Sequence, residues 1–216
     1  MKPTIALFLN PPECSQDCCN GMIQALESGY NIRTFSRHKC NPQTLKRADI
    51  VAFPGGIGDA NSYDKFFRRQ AENAVADFVA QGGRYLGICM GAYWAGSHYF
   101  DVLDGVDAVQ YIKRPTSDIR RSYGTVAPVT WLGQEENMYF YDGCALIGDE
   151  SKFTTVARYA NNDPMAIIQG TVGIIGGHPE SQEYWYQKPW QYINQHWHQG
   201  RHHNLLLKFV DRLMQQ

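Results

Sequence analysis

Strand-like and helix-like segments alternate through the first hundred residues, and this alternation constrains the fold more than any other feature of the chain. Short apolar runs of β type are followed by segments with helical spacing of apolar residues, not by two-residue hairpin turns. Strands connected in this way pair in parallel, and a parallel sheet is covered on both faces. The sequence therefore predicts an α/β sandwich. Its first strands are predicted at Thr4–Asn10, Tyr30–Ser36, Ala48–Phe53 and Arg84–Cys89, with helices at Cys19–Ser28 and Phe66–Ala80.

The residue pattern changes at about Ser122. From there on, short runs of β-forming residues are separated by Gly, Asn and Asp. Such runs are typical of hairpins, and we expect them to complete the same sheet. Apolar residues on one face predict a last helix at Asn204–Met214, and Trp190–His198 is a candidate for a shorter one. No repeat or linker is visible, so one domain is the simplest expectation. The predicted runs are Tyr123–Trp131, Met138–Tyr141, Phe153–Ala160, Ala166–Gln169 and Thr171–Ile175.

Composition excludes several classes of function. The 20 Lys and Arg balance 21 Asp and Glu, so neither nucleic acid nor an anionic membrane surface is expected as a partner. No run approaches the roughly 18 apolar residues of a membrane-spanning helix, and the first residues lack the apolar segment of a secretory signal. Six cysteines are too few for a disulfide scaffold. We therefore expect a soluble, cytoplasmic protein with reduced thiols. Aromatic residues make up 13% of the chain, and such side chains suit pocket walls.

A cysteine in a glycine-rich turn is the strongest chemical signal in the sequence. Gly87–Gly91 (GICMG) follows an apolar strand and matches the G-x-C-x-G form of the nucleophile elbow. In such an elbow a sharp strand-to-helix turn strains the nucleophile's backbone, and the glycines give neighbouring elements room. The helix that follows favours a thiolate at Cys89, and the amide of Met90 is left to face an oxyanion. The alternative interpretation is a buried cysteine in a plain glycine-rich turn.

A base for this cysteine is available in Gly176–Glu180 (GGHPE), near the end of a predicted strand. His178 can accept the thiol proton, and Glu180 can hold the imidazole in one tautomer. Pro179 restricts the loop that presents both side chains. Alone, the motif is most often a surface turn. In a chain that also has a cysteine elbow, it indicates a functional pair.

A second glycine turn, Pro54–Gly56, ends the third predicted strand, which in a doubly wound sheet can lie beside the elbow strand. The amides of Gly55 and Gly56 are candidates for a second oxyanion donor, and a plain strand-to-loop turn is the alternative. Asp59 and Tyr63 follow and are candidates to line the mouth of the site. For these two the alternative is an Asx-type turn with a solvated tyrosine.

The order of the three motifs, Pro-Gly-Gly, then the cysteine elbow, then Gly-His-Pro-Glu, resembles that of the class I glutamine amidotransferase superfamily. The resemblance covers most of the chain. It implies a single class I glutamine amidotransferase-like domain over residues 1–216, with a flavodoxin-like three-layer sandwich, a mostly parallel sheet, helices on both faces and a hairpin-rich C-terminal half. Within the superfamily, the branch related to the N-terminal domain of biotin-protein ligases is most similar, on Pro54–Asp59, Tyr63, Gly87–Tyr93 and Ala157–Ala160.

The resemblance implies a Cys-dependent amidotransferase-like or amide hydrolase enzyme that acts on a small-molecule or peptide amide. Cys89 would be the nucleophile, His178 the base and Glu180 its orienting partner. No cofactor and no metal are expected. The implied oxyanion donors are Gly55, Gly56 and Met90, and the implied substrate-binding residues are Asp59, Tyr63 and Tyr93.

The sequence departs from the family at Tyr93, where glutamine-using members usually carry Gln four residues after the nucleophile, and this leaves the substrate open. The phenol can hydrogen-bond a different amide, ester or carboxylate, or it can pack. A second hypothesis is therefore a non-catalytic binding or regulatory module related to the N-terminal domain of biotin-protein ligases. No biotinyl-adenylate or Walker-type loop occurs, so a synthetase or ligase that used released ammonia would be a separate partner. The oligomeric state is not predicted.

Three weaker signals keep alternatives open. Cys14, Cys18 and Cys19, placed in the loop after the first strand, are ordinary thiols, metal ligands or members of a disulfide, for instance with Cys40. The histidines of His196–His203 form a metal site or a polar turn before the last helix. The aromatic run Tyr184–Trp185–Tyr186 is either core or an apolar wall beside Glu180.

Overall fold

The alternation of strands and helices predicted for the N-terminal half is present in the structure, a computed structural model that describes residues 2–56, 63–64, 67, 69–187 and 192–216. The strands are β1 Thr4–Phe8, β2 Asn31–Phe35, β3 Ile50–Phe53, β4 Arg84–Ile88, β5 Val106–Gln110, β6 Thr125–Trp131, β7 Gln134–Phe140, β8 Cys144–Gly148, β9 Thr154–Tyr159, β10 Pro164–Gln169 and β11 Val172–Ile175. The helices are α1 Gln16–Leu26, α2 Pro42–Leu45, α3 Arg69–Ala80, α4 Met90–Trp94, α5 Glu183–Tyr186 and α6 Arg201–Leu213.

Within the described residues, nine strands form one sheet in the order β2-β1-β3-β4-β11-β10-β9-β6-β7. The first five of these run parallel to one another, and the last four continue the sheet through antiparallel pairs. Helices flank the sheet, which confirms the predicted flavodoxin-like α/β sandwich and its hairpin-rich C-terminal half. No helix in the described part of the chain has the length and apolarity that a membrane crossing requires.

Aromatic side chains fill the core beside the parallel strands. Phe53 of β3 stacks on Tyr85 of β4 with 5.5 Å between ring centroids, and it meets Phe8 and Phe100 at 5.5 and 4.7 Å. Large rings fully removed from water contribute about 2 kcal/mol or more each. This packing fixes the strands whose ends carry the predicted motifs.

The structure corrects several predicted boundaries. Helix α1 begins at Gln16, three residues before the predicted start, because the Ser15 hydroxyl caps it by accepting from the Cys18 amide at 3.2 Å. Cys18 and Cys19 therefore lie on a helix and not in a loop. Of the predicted helix over 190–198, residues 190 and 191 lie outside the described part, and the described residues contain a 3-10 turn at Asn194–His196.

Two strands were missed by the sequence analysis. Strands β5 and β8 form a separate antiparallel pair, and β5 is short and mostly half-exposed, so that its residues give no strong apolar period. The hairpin of β6 and β7 begins its return strand earlier than predicted, at Gln134. Its two-residue turn places both Leu132 and Gly133 at positive φ, 47° and 83°, as a tight hairpin of this kind requires.

The order of the strands brings three loops together at one edge of the sheet. Phe53 of β3 pairs with Gly87 of β4, and Ile88 of β4 pairs with Ile175 of β11. All three strands run in the same direction, so the segments that follow them lie side by side. These segments hold the three motifs found in the sequence, as expected for a ligand site at the carboxyl edge of a parallel sheet.

Candidate active site

Cys89 occupies a sharp turn between β4 and α4. Its φ of 50° and ψ of −102° are strained for a residue with a side chain. A Cβ atom at Gly87 would collide with the Gly91 carbonyl, and one at Gly91 would collide with the Phe53 carbonyl. The two glycines of the motif are therefore needed for packing around the turn. The backbone has the form of a nucleophile elbow, with Cys89 at the N-terminus of the short helix.

His178 and Glu180 form a buried pair directly beyond β11. Nδ1 of His178 lies 2.9 Å from Oε1 of Glu180, whose side chain is entirely shielded from water. The loop is held to β7, because the His178 amide donates to the Tyr139 carbonyl at 2.9 Å. Burial alone would lower the pKa of His178, but the Glu180 carboxylate and the nearby Cys89 and Cys18 sulfurs hold this pKa well above its usual value.

Cys89 and His178 line the same cavity. The Cys89 thiol donates to the Tyr141 carbonyl at a sulfur-to-oxygen distance of 3.5 Å. Nε2 of His178 is buried and has no hydrogen-bond partner among the described residues. The thiol proton of Cys89 is thus donated to the Tyr141 carbonyl in this structure. Nε2 of His178 is available as a second acceptor for the same proton. The structure brings together the three residues predicted from the cysteine elbow and the His-Pro-Glu loop.

The three predicted oxyanion donors differ in position, because Gly55 is buried beside Cys18 and His178 and does not line the cavity. Gly56 and Met90 line the cavity. An isolated antiparallel β-bridge pairs Gly56 with Cys14. Its hydrogen bond runs from the Ser15 amide to the Gly55 carbonyl, which are 2.9 Å apart, and does not involve the Gly56 amide. The amide of Met90, at the first position of α4, has no acceptor within its own helix. Two amides near the thiol are thus outside the hydrogen bonds formed among described residues.

The three predicted substrate-binding residues have different positions. Tyr93 lines the cavity and donates its hydroxyl proton to the Asp142 carbonyl at 3.1 Å. Tyr63 is only 2% exposed and packs in the aromatic core, with its ring 4.9 Å from that of Tyr99 and 5.1 Å from that of Phe67. The structure therefore does not bring Tyr63 to the cavity wall, because its ring is taken up by core contacts. Asp59 lies outside the described residues.

The cavity has a volume of about 860 Å³ and is open to solvent. Two carboxylates lie on its wall, Asp17 and Asp142, and Asp142 accepts from the Gln110 amide at 2.9 and 3.1 Å. No Lys or Arg is found among the described lining residues. Trp185 and Tyr184 belong to the wall, whereas Tyr186 is buried. The aromatic lining residues are Tyr93, Tyr99, Tyr139, Tyr141, Tyr184 and Trp185.

Cys18 lines the cavity. The sequence analysis grouped it with Cys14 and Cys19 and did not predict that it reaches the site. Cys18 projects from α1 towards His178, and burial is the main reason that the pKa of its thiol is raised to about 11. Gly21 one turn later meets the Glu180 main chain so closely that a Cβ atom there would collide with it. Helix α1 therefore packs directly on the His-Pro-Glu loop. The sequence signal for the contact between α1 and this loop is Gly21, the small residue three positions after Cys18.

The other cysteines have structural positions. All six thiols are free, so the disulfide considered for Cys40 is absent. Cys40 is buried at a distance from the cavity, and its sulfur approaches the Ala71 carbonyl at 3.9 Å. Cys14 and Cys19 both direct their sulfurs to the Phe8 carbonyl, at 4.0 and 3.4 Å. These contacts are typical of core thiols.

The histidine-rich segment before α6 supports the His-Pro-Glu loop from behind. Nε2 of His198 lies 3.2 Å from both oxygens of Ser181, and Nε2 of His203 donates to the Ser181 carbonyl at 2.9 Å. His202 stacks on His198 at 4.1 Å and pairs with Glu136 at 3.0 Å. Through these contacts His198, His202 and His203 form a hydrogen-bonded support for the loop. They act on Ser181, the residue next to Glu180.

Comparison with known proteins gives the family context of this geometry. The chain matches the family described as "Biotin-protein ligase, N terminal" over residues 10–109, which include the elbow but not the His-Pro-Glu loop. No curated protein matches the chain.

Solved structures resemble the chain over its whole length. A glutamine amidotransferase has a TM-score of 0.67 at 16% identity, with 98% of this chain and 99% of that chain covered. A glutamine amidotransferase from Thermotoga maritima has a TM-score of 0.68 at 10% identity, with both chains fully covered. PurLQS from the same organism has a TM-score of 0.64 at 14% identity, with 99% and 100% covered. At these identities the likeness establishes the fold.

Proposed function

We propose that this chain, which has the class I glutamine amidotransferase-like fold, is a Cys-dependent enzyme that cleaves an amide bond. Cys89 is the nucleophile, His178 the general base and Glu180 the residue that orients it. One observation carries the proposal: a strained elbow cysteine lines the same cavity as His178, whose Nδ1 lies 2.9 Å from the buried Glu180 carboxylate. Such an arrangement matches the requirements of nucleophilic catalysis.

Acyl transfer would begin when the Cys89 thiol turns from the Tyr141 carbonyl and gives its proton to Nε2 of His178. The raised pKa of His178 allows the imidazole to hold this proton. The thiolate attacks the carbonyl carbon, a carbon–sulfur bond forms, and the electron pair of the carbonyl moves to oxygen. In this proposal the amides of Gly56 and Met90 donate to that oxyanion.

The tetrahedral intermediate would collapse with cleavage of the carbon–nitrogen bond. His178 returns its proton to the leaving nitrogen, and a thioester remains on Cys89. Water then attacks the thioester with His178 again acting as base, which releases the acid and restores the thiol. Glu180 keeps Nδ1 of the imidazole hydrogen-bonded throughout, so that Nε2 points to the reacting atoms.

The charges of the cavity favour one class of amide. Free glutamine carries an α-carboxylate, for which the described lining offers no Lys or Arg, while Asp17 and Asp142 would repel it. Aromatic walls suit an apolar or aromatic group. We therefore propose a primary amide whose remaining part is aromatic or cationic, with Tyr93 and Asp142 near its recognition group.

A partner that uses ammonia is a further part of the proposal. The chain resembles PurLQS in fold, and ammonia released beside Cys89 would need a second protein to be incorporated into a product. Measurement of ammonia during hydrolysis of a primary amide tests whether ammonia is the leaving group.

The nucleophile is tested by rates of alkylation with iodoacetamide, mapped for each cysteine by mass spectrometry. Cys89 is expected to react at least about ten times faster than Cys40, which has no base beside it. It should also react faster than Cys18 of the same cavity, because burial raises the pKa of the Cys18 thiol to about 11. The matched control is Cys40, which is equally buried at 6% exposure. Equal rates at Cys89 and Cys40 would contradict the proposal.

Turnover is tested with phenylalanine amide, its N-acetyl derivative, succinamate and glutamine. We expect the cationic aromatic amide to be hydrolysed fastest, Cys89→Ser to abolish hydrolysis and Cys40→Ser to retain it. Asp142→Asn should reduce the preference for the cationic over the N-acetylated amide. Faster hydrolysis of succinamate or glutamine would contradict the substrate class. Absence of any thioester on Cys89, sought by trapping with hydroxylamine, would favour the alternative of a binding module.

A further inference from the structure

Three potential metal-binding side chains meet beside α1, behind the part of the cavity wall that Cys18 and His178 form. The sulfur of Cys18, a ring nitrogen of His178 and a carboxylate oxygen of Glu180 all lie within 4.8 Å of one another. Two of these residues have roles in the proposed mechanism, but Cys18 has none. We refer to the three as the Cys18–His178–Glu180 cluster.

The cluster has unused bonding capacity. Oε2 of Glu180 is fully buried and has no hydrogen-bond partner among the described residues. A buried carboxylate oxygen of this kind is costly unless a donor or a cation reaches it. Cys18 and His178 both line the cavity, so a small ion can reach the cluster from solvent.

The space within the cluster is kept by a glycine. A Cβ atom at Gly55 would lie 2.7 Å from the Cys18 sulfur and 2.9 Å from Cε1 of His178. Any larger residue would therefore push these two side chains away. The backbone of the Pro-Gly-Gly turn thus borders the cluster without filling it.

We propose that the Cys18–His178–Glu180 cluster binds a divalent cation of the zinc type, with three protein ligands and a fourth position open to the cavity. Thiolate, imidazole and carboxylate are the ligands that Zn²⁺ prefers. Bond lengths of about 2.0–2.3 Å in a tetrahedron place ligand atoms about 3.3–3.6 Å apart. The ligand atoms would have to approach by at most about 1.2–1.5 Å from the upper separation of 4.8 Å, which side-chain rotation can supply.

Binding would release protons and rearrange the pair that orients the base. The Cys18 thiol loses its proton to solvent. The proton on Nδ1 of His178, which faces Glu180, also leaves to solvent while Nε2 takes up or keeps a proton, so that Nδ1 presents its lone pair to the metal. The hydrogen bond between His178 and Glu180 is then replaced by two metal bonds. On the proposed function, the bound cation holds His178 away from its role as a base, so that the metal inhibits reversibly.

The site is tested with Co²⁺ as a spectroscopic substitute and Zn²⁺ as its competitor, on the full chain. We expect a thiolate-to-cobalt charge-transfer absorption that Zn²⁺ removes. Cys18→Ser should abolish this absorption and weaken Zn²⁺ binding by more than the roughly 10- to 100-fold caused by loss of an outer-shell partner. Cys40→Ser, a buried cysteine far from the cavity, should leave both unchanged.

Cys89→Ser separates this inference from the proposed function. This variant lacks the nucleophile but keeps all three ligands, so its Co²⁺ absorption should equal that of the wild type even if no substrate is ever found. Loss of the absorption in Cys89→Ser with retention in Cys18→Ser would overturn the site, because the metal would then sit on Cys89. Cys18→Ala provides a second variant whose melting temperature checks folding. Unchanged Zn²⁺ affinity in a folded Cys18 variant would also overturn the site.

Discussion

Acid should destabilise the fold through His198, which is buried behind the His-Pro-Glu loop at 4% exposure. Burial is the first cause that lowers the pKa of His198, to about 3, and the neighbouring His202, His203 and Arg201 add to it. An unfolded histidine has a pKa of about 6.5. Because the unfolded chain takes up this proton first, stability falls as pH drops from about 6.5 towards 3.

The size of the effect follows from the two pKa values. Between neutral pH and pH 5, the lost free energy of unfolding from His198 alone is about 2 kcal/mol. His202, whose pKa is also lowered mainly by burial, acts in the same direction. Glu136 beside His202 and Ser181 beside His198 do not reverse it, since the net shifts of both histidines are downward.

Urea unfolding at pH 7.5 and pH 5.0 measures this directly. His198→Asn removes the titrating group, so the loss of stability between the two pH values should be about 2 kcal/mol smaller than in the wild type. His38→Asn, at an exposed histidine, is the control and should lose as much as the wild type. The reasoning is refuted if wild type and His198→Asn lose the same free energy within about 0.5 kcal/mol.

Three further changes have defined outcomes. Glu180→Gln should lower the pKa of His178, since the carboxylate raises it; the acidic limb of the pH–rate profile would then move to lower pH and kcat/KM fall about 100- to 10,000-fold. Gly55→Ala should displace the Cys18 sulfur and the His178 ring and lower kcat about 100-fold, as misplacement by about 1 Å does elsewhere. Leu132→Asn should stabilise the β6–β7 hairpin by about 1 kcal/mol in thermal unfolding, because Asn tolerates the positive φ better than Leu.

Each of these has a matched comparison. Asp49→Asn removes a carboxylate remote from the cavity and should leave the pH–rate profile as it is. Gly82→Ala changes a glycine with open space around it but with a φ of 90°, so it strains the backbone without contacting the cavity. A similar loss of kcat there would exclude the contact argument. If Leu132→Asn lowers the melting temperature, the exposed Leu132 side chain makes stabilising contacts that outweigh the strain.

The elbow could be predicted from the sequence because its cause is local. Gly87 and Gly91 are required by atoms within a few residues of Cys89 and by the adjoining strand β3. The position of β3 beside β4 followed from the alternating pattern, since consecutive parallel strands have few ways to pair. The position of β11 beside β4 was not predicted, because the two strands lie far apart in the sequence. His178 and Glu180 were identified from a local motif, at the end of a strand.

The walls of the site could not be predicted in the same way. Cys18 reaches the cavity because α1 packs on the His-Pro-Glu loop, a contact between segments about 160 residues apart in sequence. Tyr139 and Tyr141 reach it through antiparallel pairing far from the elbow. Tyr63, predicted at the mouth of the site, lies in the aromatic core, because an aromatic ring beside other rings gains more from burial than from exposure.

The parallel pairing of β4 with β11 also determines when the site can exist. Cys89 follows the first of these strands, and His178 follows the second, more than eighty residues later in the chain. In the proposed mechanism the nucleophile is therefore synthesised well before its base, which lies beside it only once β11 pairs with β4. A chain shortened before β11 would therefore keep Cys89 but lack the base that the proposed mechanism requires.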